Sequence, residues 1–106
     1  MAQVRSTTSE RRRLALGRAT AARILEDPDL LVLGRSNVSR LRSGATRSGL
    51  VLLDEWAWTI KRGPEAVAEI LREDSEHGHD MRQQSPFAGI LTNRERWSIL
   101  EEVYGT

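Results

Sequence analysis

The chain has no cysteine, only three prolines, one lysine and five aromatic residues among its 106. Without cysteine there is no disulfide framework and no thiolate chemistry. No apolar run approaches the roughly 20 residues needed to span a bilayer. Arg11, Arg12 and Arg13 precede only a short Leu/Ala stretch, which does not make the hydrophobic core of a signal peptide. A cytoplasmic protein that does not enter the membrane is the reading that follows. Also missing are a Gly-x-Ser-x-Gly elbow and a glycine-rich phosphate loop after a strand. The carboxylates lie along helix faces as i,i+3 and i,i+4 neighbours of arginine, the usual arrangement of solvated helices. The expectation is a protein with no catalytic residues and no cofactor. His77 and His79, two residues apart on a helix, point about 200° from each other. With no third histidine in the chain, they are read as a solvent-exposed pair and not as metal ligands.

What the chain has instead is a split charge. Residues 1–50 carry ten arginines against four acidic residues, a net +6, while residues 51–106 carry six basic residues against eleven acidic ones, a net −5. The total of +1 hides this asymmetry, and all five aromatics fall in the acidic half. Such a division suits a basic surface for polyanions and an acidic surface for a basic partner. The apolar fraction of 39% is a little low for a self-sufficient globule, and cores this thin are often completed by a partner.

Apolar spacing and caps predict an all-α bundle of about five to six short helices. Residues 1–8 read as a flexible N-terminus, and residues 9–106 as one helical domain, basic over 9–50 and acidic over 51–106. Ser9 is expected to cap a helix over 10–26 whose inner face is Leu14, Ala21, Ile24 and Leu25. Asp27-Pro28 restarts the chain, with Asp27 as cap and Pro28 in the first turn of a helix that ends near Arg42. Ser48 is expected to cap a third helix over 49–62, and Gly63-Pro64 opens a fourth that runs to about Glu73. A short helix capped by Ser75 reaches Gln83 or Gln84. Ser85-Pro86 breaks it, Phe87 to Leu91 turn, and Thr92 with Glu95 forms a capping box for a last helix over 93–104.

Two places resist a single core. In the third helix Leu52, Leu53, Trp56 and Ile60 share a face, and Trp58 lies about 200° from Trp56. Trp58 therefore either sits half-buried under the last helix or anchors an interface, where tryptophan is enriched. Leu30 to Leu33 also pass right round the second helix, with Val32 pointing away from Leu30, Leu31, Val38 and Leu41.

Residues 34–44 have the small, polar and arginine-rich texture of a recognition helix. Asn37 to Leu41 looks like the "TVSRIE" run of repressor-type helices, although the apolar run before it leaves no tight turn of a helix-turn-helix. The plainer reading is an amphipathic packing helix with a solvated arginine face. Arg11, Arg12, Arg13, Arg18, Arg35, Arg40 and Arg42 are the candidate nucleic-acid contacts, with operator DNA as the partner they imply. The stretch from Met81 to Leu91 combines a helix end, a proline-enforced turn and an aromatic plug. Arg82, Gln83, Gln84, Ser85, Pro86 and Phe87, with Trp58 and Trp97, are the candidate partner-binding residues, because planar multi-donor side chains beside an aromatic mark recognition edges.

The run RQQSPFAGILTNRERWSIL resembles the C-terminal signature, R-Q-x-S-P-F-A-G-x-L, of small actinobacterial helical proteins associated with type II toxin–antitoxin pairs. Leu53 to Trp56 and Gly63 to Val67 are similar to the W-x-x-L-L-x-G-P-x-x-x-V block upstream in the same group. The resemblance covers residues 53–100. It departs at Thr59-Ile60, where the group has Leu-Leu, and at the additional Trp58. It implies an all-α antitoxin whose partner is a cognate toxin from the adjacent gene, in some members a nucleotidyltransferase-fold toxin that acts on RNA. A transcriptional regulator binding through 34–44, a homodimer, and a structural subunit of a larger assembly are the other readings the residues leave open.

Overall fold

The computed structural model describes residues 7–105 and contains six helices, with no strand among the described residues. They are α1 (Thr8–Glu26), α2 (Leu30–Arg42), α3 (Arg47–Arg62), α4 (Pro64–Arg72), α5 (Glu76–Gln83) and α6 (Asn93–Gly105). The all-α architecture matches the pattern in the sequence. Residues 1–6 of the expected flexible terminus lie outside the described residues, but Thr7 and Thr8 belong to the start of α1.

Local side-chain chemistry sets the helix starts. Thr7, not Ser9, caps α1, because Glu10 stands three residues on and completes a reciprocal box with it. Thr46, not Ser48, caps α3 by accepting from the Gly49 amide, and the Ser48 hydroxyl sits against Thr46 instead. Ser75 caps α5 through the Gly78 amide, and the Thr92–Glu95 box opens α6, both as expected. The chain does turn from Asp27, but through three-residue steps. Leu30, Leu31 and Val32 amides donate to the carbonyls of Asp27, Pro28 and Asp29, so α2 proper begins at Leu30 with no side-chain cap.

One core joins these elements. Ala21 and Ile24 of α1, Val38 of α2, Leu53, Trp56 and Ile60 of α3, Val67 and Leu71 of α4, Met81 of α5 and Phe87 form a single buried cluster. Leu25, expected on the inner face of α1, is exposed. The Trp56 indole N–H donates to the Met81 carbonyl at 2.9 Å. A buried indole is stable only with such a partner. The Phe87 ring meets Trp56 edge to face, 5.6 Å between centroids and 78° between planes.

Helix α1 is the hub, packing on α4, α5 and α6, whereas α2 leans on α3. The outermost helix, α6, is held against α1 by Glu95, which pairs with Arg23, and by Ile99 and Val103, which with Leu14 and Ala15 line a shared groove. Among the described residues no helix is long and apolar enough to cross a membrane.

Candidate functional site

The corner between α5 and α6 is built from the inside. The Phe87 ring lies on Gly34 of α2, where any Cβ would come within 2.2 Å of it. Asn37, one turn further along α2, donates through its side-chain amide to the Pro86 carbonyl at 2.9 Å. The face of α2 carrying Gly34, Asn37 and Val38 thus packs on the turn and the core. In the recognition-helix reading Asn37 is therefore already engaged within the chain. Phe87 and Pro86 are both fully enclosed, as expected for the phenylalanine. Neither presents a surface to a partner.

Arg82 departs most from expectation. Placed at a recognition edge by sequence, it is 6% exposed. Its guanidinium reaches the end of α4, where one terminal nitrogen donates to the carbonyls of Ile70, Leu71 and Glu73 at 3.3, 3.1 and 2.7 Å. The last carbonyls of a helix have no intrahelical donor and carry partial negative charge, so a buried guanidinium is a natural cap for them. The other terminal nitrogen lies 2.8 Å from His79 Nδ1. Because arginine only donates, that ring nitrogen accepts and the imidazole proton sits on Nε2, which is 3.4 Å from Asp74.

His79 is buried at 5% exposure, which corrects the expectation of a solvent-exposed pair. Only His77 is exposed, at 2.6 Å from Glu55. Among the described residues no group of acidic and histidine side chains is placed to hold a metal. Gly17 of α1 permits this packing, since a Cβ there would stand 2.5 Å from the Leu71 carbonyl and 2.8 Å from the Arg82 stem. Burial pushes the Arg82 guanidinium below the ordinary arginine pKa, while the charges of Asp74 and Glu73 oppose the shift. Of its neighbours, Gln83 is exposed, and Gln84 and Ser85 are half-buried. Ser85 accepts from the Phe87 amide.

The exposed aromatics lie elsewhere. Trp58 is 63% exposed and Trp97 67% exposed, so Trp58 is not covered by α6. Val51, seven residues before Trp58 on α3, is also exposed, and that spacing puts the two on one stripe. On α6, Trp97 and Tyr104 are likewise seven apart and exposed, with half-buried Leu100 between them. Apolar stripes on two helices of one small protein are the usual marks of interaction surfaces.

The basic candidates divide. Arg12 is tied to Ser9 and lies over the Tyr104 ring at 5.7 Å. Arg42 pairs with Asp54, and Arg40 donates to Asn37. Arg11, Arg13, Arg18 and Arg35 are exposed and have no ion-pair partner among the described residues. Sequence reasoning missed the roles of His79 and Gly17 altogether. The signal for His79 was that it is buried on α5 with Gly78, Met81 and Arg82; Gly17 of α1 had none. Compared with known proteins, the chain matches no family model, no curated protein and no solved structure.

Proposed function

We propose that the chain is a non-catalytic binding protein, an antitoxin that neutralises an RNA-directed toxin by direct contact. The observation that carries the reading is the pair of exposed tryptophans, Trp58 and Trp97, on separate helices of the acidic half. Tryptophan is the side chain most enriched at the centre of protein interfaces. Leaving two of them in water serves no purpose in folding. In the same half of the chain Glu65, Glu69, Glu76, Asp80, Glu101 and Glu102 are exposed without an ion-pair partner among the described residues. A toxin that acts on RNA has a basic cleft. Carboxylates steer encounter with such a cleft and compete there with phosphate. The resemblance of residues 53–100 to antitoxin-like proteins points the same way.

The test is co-expression with the neighbouring reading frame. Wild-type chain should relieve the growth arrest caused by that gene, and Trp58→Ala with Trp97→Ala should not, at equal cellular abundance. A harmless neighbour, or full rescue by the double variant, contradicts the proposal. A second reading, binding of a polyanion such as operator DNA by the basic half, is favoured by the unpaired Arg11, Arg13, Arg18 and Arg35. It requires DNA affinity that falls steeply with salt and is reduced by Arg11→Gln with Arg18→Gln.

A further inference from the structure

A cleft of about 250 Å³ lies between α1, α5, α6 and the 87–91 turn, and its wall includes Arg13, Arg82 and Arg96. No acidic residue lines it. Leu16, Leu71 and Leu91 supply an apolar part of the same wall. We propose that this cleft binds a small phosphate monoester, the phosphoryl group held by the three guanidinium groups and its organic body against the leucines.

Three observations carry the assignment. Arg82 is more than nine-tenths buried, yet its Nε is the one buried side-chain nitrogen or oxygen among the described residues without a hydrogen-bond partner. The rest of its guanidinium is engaged by carbonyls and an imidazole, and no ion pair joins it to a carboxylate among the described residues. The charges of Asp74 and Glu73 offset only part of the effect of burial, so the unpartnered Nε–H keeps an attraction toward an anion.

Second, Arg13 on α1 and Arg96 on α6 are exposed side chains without a hydrogen-bond or ion-pair partner among the described residues. Each is free to turn toward a bound anion. Third, three separate guanidinium groups suit a phosphoryl dianion, with its three acceptor oxygens, better than a planar carboxylate, which one guanidinium already satisfies in bidentate fashion. The volume falls below that of drug-sized pockets, so the organic body is small. The cleft is distinct from the Trp58 and Trp97 stripes and does not depend on the antitoxin reading.

The experiment titrates phenyl phosphate, inorganic phosphate and benzoate into the full chain at constant ionic strength. Arginine side-chain N–H resonances are followed by NMR, together with the melting temperature. Phenyl phosphate should shift the Arg82 Nε–H resonance saturably and raise the melting temperature with concentration. It should bind more tightly than either benzoate or inorganic phosphate. Arg82→Gln is expected to compromise folding, so the decision rests on the exposed pair. Arg13→Gln and Arg96→Gln should each weaken phenyl phosphate about tenfold, the effect of one lost charge-assisted hydrogen bond. No saturable shift at millimolar phenyl phosphate overturns the proposal, as does undiminished binding in the Arg13→Gln/Arg96→Gln protein. Benzoate binding as tightly as phenyl phosphate overturns the phosphoryl assignment, and equal affinity for inorganic phosphate overturns the role of the leucine wall.

Discussion

The corner around Phe87 and the outer faces of α3 and α6 are both rich in large side chains, yet they use them in opposite ways. At the corner Phe87 and Pro86 are enclosed, and Arg82 caps α4 from within. On the outer faces Trp58, Val51, Trp97 and Tyr104 stand in solvent. The corner spends distinctive residues on holding four helices together, and the outer faces leave theirs largely in solvent, with only Tyr104 under the Arg12 guanidinium. A distinctive motif is therefore not by itself a contact surface, and in this chain the conspicuous run is chiefly architectural.

That contrast can be broken by substitution, and the largest effect is expected at the corner. Phe87→Ala removes a ring packed on both Trp56 and Gly34 and should cost about 3–5 kcal/mol of stability, as for other buried aromatics. Chemical denaturation of the variant checks this. A loss below 1 kcal/mol would mean that the corner is not part of the core. Next comes Gly34→Ala, whose added methyl cannot coexist with Phe87 in its present place. Overpacking of this kind costs about 1–3 kcal/mol, and pairing it with Phe87→Leu should recover part of the loss.

A smaller effect is expected where α6 meets α1. The hydrogen bond accepted from the Thr92 amide is the largest influence holding the Glu95 carboxyl below its ordinary value of 4.5; desolvation, next in size, opposes it, and the contact with Arg23 adds to the lowering. A depressed folded-state pKa stabilises the protein above the unfolded value, and that contribution is lost as the pH falls through the folded one. Amide exchange along α6 should therefore quicken as the pH drops from 4.5, once corrected for intrinsic rates. In Glu95→Gln this pH dependence should largely vanish. An identical profile in the variant would contradict the tether. The smallest effect on stability is expected at the outer faces, where Trp58→Ala should stay within about 0.5 kcal/mol, as for other surface positions.

Much of this division could be read from the sequence, though not its most consequential part. The opposition of Trp56 and Trp58 follows from the helical period alone, and burial of one and exposure of the other agree with it. The Thr92–Glu95 and Ser75 caps were equally legible, because each had no competing hydroxyl nearby. Thr7 and Thr46 were misassigned to Ser9 and Ser48, since two hydroxyls two residues apart offer similar local chemistry and a neighbour's amide or carboxylate decides between them. The inner face of α5 was illegible. Gly78, His79 and Arg82 face inward because they cover the open end of α4, which needs donors, whereas periodicity looks for apolar residues. Nothing local in the sequence announces that a helix end twelve residues away will be the partner.

The most direct test of the division between corner and outer faces is the affinity of the neighbouring gene's product for Trp58→Ala/Trp97→Ala, measured by calorimetry beside a melting curve of the same protein. The account predicts a melting curve close to that of the wild type and binding weakened by about thirtyfold or more, the loss expected from hot-spot tryptophans at above 2 kcal/mol. Unchanged affinity in a fully folded double variant would contradict it.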